Sequence, residues 1–194
     1  MRKQEWRIFF VIFEILALGC CSIMIYACFN PTLFQVVVKS CCHISSIGVG
    51  PFLWYYDGQT RGFENVTDAF RFIQVMYGVS LTAVVVSQIL TIRGYMKKGN
   101  MKVSGYATTG AAVFLAIFSL AYTLQFILWT VNKTFIFTRL PLSGFVADGN
   151  LFTLPFLLIL VWPMTIAMFC LGGVIMIHKF NDDIYEQFGM MRIE

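Results

Sequence analysis

The chain has 194 residues, 58% of them hydrophobic and only 12% charged, with a formal net charge of +4. It is one domain long, but a water-soluble domain carries about a quarter of charged residues, so that class is excluded. Twenty phenylalanines suit a surface bathed in lipid.

A bilayer core takes about 20 mainly apolar residues per helix, and four runs of that kind follow one another along the chain. Arg2, Lys3 and Arg7 precede the first, residues 8–29. It is too long for a signal-peptide core and has no small-residue cleavage site behind it, so it reads as a retained helix. A long loop, residues 30–69, leads to span two, residues 70–92. Arg93, Lys97, Lys98 and Lys102 crowd the tight connection to span three, residues 106–131. A medium loop, residues 132–151, precedes span four, residues 152–177, and Lys179 opens a tail, residues 178–194. The basic residues gather beside the termini and the short connection, which places those in the cytoplasm and both longer loops outside. Residues 1–194 thus read as a single four-span membrane domain. The sequons Asn65-Val66-Thr67 and Asn132-Lys133-Thr134 then fall outside, as candidate glycosylation sites at Asn65 and Asn132.

Loop one has strand character. Residues 33–38 are rich in β-branched and aromatic side chains, residues 45–51 carry turn signals, and residues 52–56 form a second strand candidate ended by Asp57-Gly58. Residues 135–138 of loop two, with Phe135 and Phe137, offer a third. The expected product is a small extracellular sheet resting on the helix ends. Trp54, Tyr55 and Tyr56 serve either a binding role or an aromatic belt at the membrane interface. Six cysteines are present; Cys20, Cys21 and Cys170 lie in apolar runs and read as packing residues. Cys28, Cys41 and Cys42 fall where an oxidising compartment reaches them, and a bridge from Cys28 to Cys41 or to Cys42 would staple the sheet to span one. An adjacent Cys41–Cys42 bridge is strained.

Glu14 lies inside span one, about 9 Å below its boundary at 1.5 Å per residue. A carboxylate facing lipid there is costly, so it faces the bundle interior or carries a proton. Gln88 of span two lies at similar depth, and a Glu14–Gln88 hydrogen bond locking the two spans is the structural reading. The alternatives are a proton or cation relay and contact with a partner helix. Small residues at Ala17, Gly19, Cys20, Gly110, Ala111, Ala112, Ala116, Gly172 and Gly173 favour close helix packing. Pro155 and Pro163 are expected to bend span four.

Catalytic constellations are missing. His43 falls outside and His178 inside, no zinc-protease, phosphate-loop or nucleophile-elbow motif occurs, and no carboxylates pair. The reading is therefore not an enzyme, with no cofactor and no metal. Juxtamembrane Lys and Arg point to anionic lipid rather than to nucleic acid.

The fold class expected is an all-α membrane protein: an antiparallel four-transmembrane-helix bundle with a small extracellular β-sheet. This pattern resembles the claudin superfamily, with the peripheral myelin protein relatives and the calcium-channel gamma subunits. Gly50-Pro51-Phe52-Leu53-Trp54 is similar to that family's Gly-Leu-Trp element. Asp68-Ala69-Phe70-Arg71-Phe72-Ile73-Gln74-Val75-Met76 resembles its entry into helix two. The likeness is that of a divergent invertebrate member, of the nematode claudin-like kind. Two departures stand out: the family's paired loop cysteines follow the tryptophan, whereas Cys41 and Cys42 precede Trp54, and the chain ends in Arg192-Ile193-Glu194. Tetraspanins carry their cysteine-rich loop between spans three and four, unlike this chain.

The resemblance implies a claudin-like organiser of cell–cell contacts at the plasma membrane, acting as a homo-oligomer by lateral and trans association. Phe52, Leu53, Trp54, Tyr55, Tyr56, Phe135 and Phe137 are its interaction residues, with Asp57, Arg61 and Glu64 as charges for a paracellular path. The second reading is an auxiliary, gamma-like subunit with a channel or receptor partner. A small transporter is disfavoured, because no repeat and no intramembrane charge beyond Glu14 is present.

Overall fold

Apolar runs of this length can bury backbone hydrogen bonds only as helices, and four helices form. The computed structural model describes residues 3–30, 33–39, 44–56, 58–64, 66–96, 100–132, 151–153 and 156–187. Helices α1 (Lys3–Phe29), α2 (Asp68–Tyr95), α3 (Met101–Asn132) and α4 (Phe156–Gln187) are each long and apolar enough to cross a membrane. Local signals set their ends. The Thr67 hydroxyl accepts from the Phe70 amide at 3.4 Å, and Asp68 occupies the first turn of α2 beside it, where an acceptor and a negative charge both suit a helix start. Asn100 Oδ1 accepts from the Lys102 amide at 2.9 Å and caps α3 in the same way.

Successive helices α2, α3 and α4 pack along their lengths, whereas α1 leans on α4 and barely touches α2. Phe118, Leu115, Tyr77, Tyr122, Met168 and Leu171 form the fully buried centre. Tyr77 meets Phe118 edge-on at 5.3 Å, and Phe118 stacks on Tyr122 at 5.7 Å. Helices α3 and α4 approach closely at Gly172, where a Cβ would stand 2.5 Å from Thr109 Oγ1 and 3.2 Å from its amide. Glycine is needed there for backbone proximity, as close packing of membrane helices demands. Outward faces carry exposed Ile15, Val75, Ile117 and Ile166, a surface suited to hydrocarbon rather than to water.

Five strands form one antiparallel sheet: β1 (Phe34–Lys39), β2 (Ile44–Val49), β3 (Leu53–Tyr56), β4 (Gln59–Gly62) and β5 (Leu151–Thr153), in the order β4-β3-β2-β1-β5. By connectivity the sheet caps the end where α1 and α3 finish and α2 and α4 begin; the opposite end holds the chain termini and the α2–α3 turn. The sheet is fixed to the helices by buried polar ties. Tyr122 donates its hydroxyl to the Leu33 carbonyl beside β1, whereas Tyr77 donates to the Met24 carbonyl and ties α2 to α1. Gln74 Nε2 reaches the Pro51 carbonyl at 2.7 Å. Gly50 allows the sheet to close on α1, since a Cβ there would sit 2.5 Å from the Asn30 carbonyl oxygen.

Several expectations are corrected. Residues 45–49, read as a turn, are strand β2, because pairing with β1 from Phe34↔Val49 to Lys39↔Ile44 overrides the weak strand preference of Ser and Gly. Strand β4 was not expected. The Tyr56↔Gln59 pair leaves two residues between β3 and β4, and the second, Gly58, has φ 75°, the left-handed conformation that tight hairpins need. Phe152 and Thr153, assigned to span four, are in β5 and pair with Val36 and Gln35. Helix α4 begins at Phe156 and contains Pro163; Pro155 lies outside the described residues. The helix continues to Gln187, so most of the expected tail is helical. The strand expected at residues 135–138 lies outside the described residues.

Candidate functional site

Alternation along β3 decides what its aromatic residues do. Trp54 is 4% exposed; its Nε1 donates to the Gly62 carbonyl at 3.0 Å, and the Arg61 guanidinium lies 5.9 Å from its ring centroid. Trp54 and Arg61 are direct cross-strand partners, a position from which a cation and an aromatic face attract. Arg61 also donates to Gln59 Oε1 at 2.6 Å. Trp54 is thus an anchor of the sheet. Tyr55 points the other way, 39% exposed, and Phe52 at the β2–β3 turn is 40% exposed. Leu53 and Tyr56 are half-buried, and Glu64 is exposed. Of the predicted interaction residues that are described, Phe52 and Tyr55 are therefore the exposed ones. Phe135, Phe137 and Asp57 lie outside the described residues.

Below Phe52 a groove of about 670 Å³ runs along the outward face of α2, lined by Gln74, Val75, Gly78, Thr82 and Val86 among others. Phe52 roofs it and meets Tyr77 edge-on at 5.9 Å.

Cys28 is a free thiol whose Sγ approaches the Met24 carbonyl at 3.5 Å. Cys41 and Cys42 lie outside the described residues, as does Asn65. Asn132 is the last residue of α3.

At the other end, polar residues occupy the interior. Glu14 shares the inward stripe of α1 with buried Phe10, Ala17, Cys20 and Met24, three or four residues apart as one helix face requires. Both of its carboxylate oxygens are buried without a hydrogen-bond partner. Gln88 is 3% exposed; its Nε2 approaches Met168 Sδ at 3.9 Å, and its Oε1 has no partner. The expected Glu14–Gln88 bond is therefore not made. Gln88 instead turns its amide nitrogen toward Met168 of α4, and α1 packs mainly on α4 rather than on α2.

No protein-family model matches the chain, and no curated protein matches it in sequence.

Two features escaped the sequence reading. A row of rings, Tyr95–Phe10 at 5.3 Å, Phe10–Trp6 at 5.1 Å and Trp6–His178 at 4.1 Å, crosses from α2 through α1 to α4 at the terminal end. The only sequence signal was a clustering of aromatic residues near helix ends. The second is a hydroxyl cluster between α2 and α3, with Thr91 Oγ1 at 2.7 Å from Ser104 Oγ and 3.4 Å from Thr108 Oγ1. Thr91 and Thr108 also hydrogen-bond helix carbonyls of Ser87 and Ser104, which satisfies them and makes the cluster structural. Among the described residues no group of three or more His, Cys, Asp or Glu side chains is placed to hold a metal ion.

Proposed function

We propose that the chain is a multi-pass plasma-membrane protein, with the sheet outside and the termini in the cytoplasm, that organises cell–cell contacts by lateral and trans association in the claudin manner. The orientation is supported by the Lys and Arg residues clustered beside the termini and the α2–α3 turn. The observation that carries the reading is the division of labour in β3. Buried Trp54 fixes the sheet, and the neighbouring Phe52 and Tyr55 are left exposed on it. Aromatic residues held on a rigid element suit a recognition patch, because they add contact area with little entropy left to lose.

Imaging of the tagged protein in cells without junctions of their own tests this. Enrichment at borders between two expressing cells, but not at borders with a non-expressing neighbour, is the expected result. The Phe52→Ser/Tyr55→Ser double variant reaches the surface and loses that enrichment. Uniform distribution together with co-purification of a larger channel or receptor would replace this reading with the auxiliary-subunit one.

A further inference from the structure

Glu14 and Gln88 point into the terminal half of the bundle from two helices that scarcely pack on each other. Two cross-links set their relative height. Phe10 of α1 stacks on Tyr95 of α2, and Tyr77 of α2 bonds the Met24 carbonyl of α1. From the lower link, Glu14 is four residues up α1 and Gln88 seven residues up α2, roughly 6 and 10 Å at 1.5 Å per residue. The two side chains are therefore within one turn of the same level. Beneath them the row Tyr95–Phe10–Trp6–His178 closes the bundle toward the terminal end. Above them stand Met24 and Cys20 of α1 and Val84 of α2, all buried.

Among the described residues, the buried polar atoms left without a partner in this half are mostly acceptors, the one donor being Trp6 Nε1 in the row of rings. Three buried oxygens, both of Glu14 and Oε1 of Gln88, have no partner. The hydroxyls of Ser87, Thr91 and Thr108 hydrogen-bond helix carbonyls. Of the other ionisable groups on the packed helices, Cys20, Cys21 and Cys170 are free thiols. Tyr77 is bonded to Met24, and His178 is the last ring of the closing row, against Trp6. Arg7 and Arg93 are exposed at the terminal end. An ionised carboxylate without a counter-charge in such a place is strongly disfavoured, and hard cations favour just such oxygen ligands.

We propose that Glu14 and Gln88 form an internal site for a single positive charge, a proton or an alkali cation, enclosed in the terminal half of the bundle. The two sources share one chemistry, neutralisation of the carboxylate with Gln88 Oε1 as a second oxygen. The site is a dead end rather than a relay: the aromatic row lies below it, and among the described residues no second acidic or basic side chain occurs on the helices between it and Asp68 and Arg71 at the sheet end of α2.

The test uses the purified full chain in lipid nanodiscs. Infrared spectra are compared between the wild type, Glu14→Gln and Gln88→Leu, and thermal unfolding is followed in sodium, potassium and choline chloride at equal ionic strength. A proton gives a protonated-carboxyl band at neutral pH that vanishes in Glu14→Gln and shifts in Gln88→Leu, with one Tm in all three salts. An alkali cation gives no such band, but a Tm several degrees higher in sodium or potassium than in choline, a difference lost in both variants. Neither band nor salt dependence in the wild type overturns the proposal. If Glu14→Gln does not fold, Gln88→Leu still decides, because a band or salt response it leaves unchanged also overturns the site. Glu64→Gln, an exposed carboxylate, must alter neither readout.

Discussion

The two halves of the bundle treat polar groups in opposite ways. In the half that carries the sheet, buried hydroxyls and amides are spent on the backbone: Tyr77 on Met24, Tyr122 on Leu33 and Gln74 on Pro51. In the terminal half Thr91 and Thr108 are bonded to the backbone as well, but Glu14 and Gln88 keep oxygens, and Trp6 its indole N–H, with no partner. A polar group in an apolar interior is expensive unless bonded. The paired half therefore reads as construction, and the unpaired half as a place kept ready for something else.

That contrast can be broken by mutation, with unfolding of the reconstituted protein as the measurement. Tyr77→Ala, which empties the fully buried centre of the paired half, is expected to destabilise by about 3–5 kcal/mol. Gly172→Leu drives a side chain into the Thr109 backbone, and its overpacking costs about 1–3 kcal/mol. Tyr122→Phe keeps the ring and removes only the bond to the Leu33 carbonyl, a loss of about 0.5–1.5 kcal/mol. A cost as large as that of Tyr77→Ala would mean that the hydroxyl, not the ring, holds the sheet down. Glu14→Gln should show no loss of fold stability under conditions where the site is empty; a loss matching Tyr122→Phe would erase the distinction between the halves. Smallest of all, the exposed pair Phe52→Ser/Tyr55→Ser stays within about 0.5 kcal/mol while abolishing enrichment at cell borders.

The helices were legible because a bilayer-length apolar run leaves few alternatives. Their ends were less so. Apolar Phe152 reads as span and is strand, since nothing local distinguishes β5 from the start of α4. Strand β2, with its serines and glycine, and polar, exposed β4 carry little strand propensity of their own; their neighbours in the sheet select them. The Trp54 region was visible as a site, but the side of the sheet taken by each residue was not. That depends on register, and a one-residue slip would exchange the roles of Trp54 and Tyr55. Glu14 stood out because it is acidic in an apolar run. Its failure to bond Gln88 reflects which helix α1 packs against, α4 more than α2, and no span-by-span reading contains that.

The pairing of β5 with β1 sets a clock on biosynthesis. Until β5 arrives, β1 is an edge strand with a row of unsatisfied backbone groups, open to wrong partners. More than a hundred residues separate the two strands, a stretch that takes roughly 5–20 s to translate at about 5–20 residues per second. During that time two helices must be made and inserted before the sheet can close. A folding factor that shields the β1 edge during translation would therefore limit yield more than any contact in the finished bundle. Variants that slow insertion of α2 or α3 should aggregate through β1 while leaving the mature protein as stable as before.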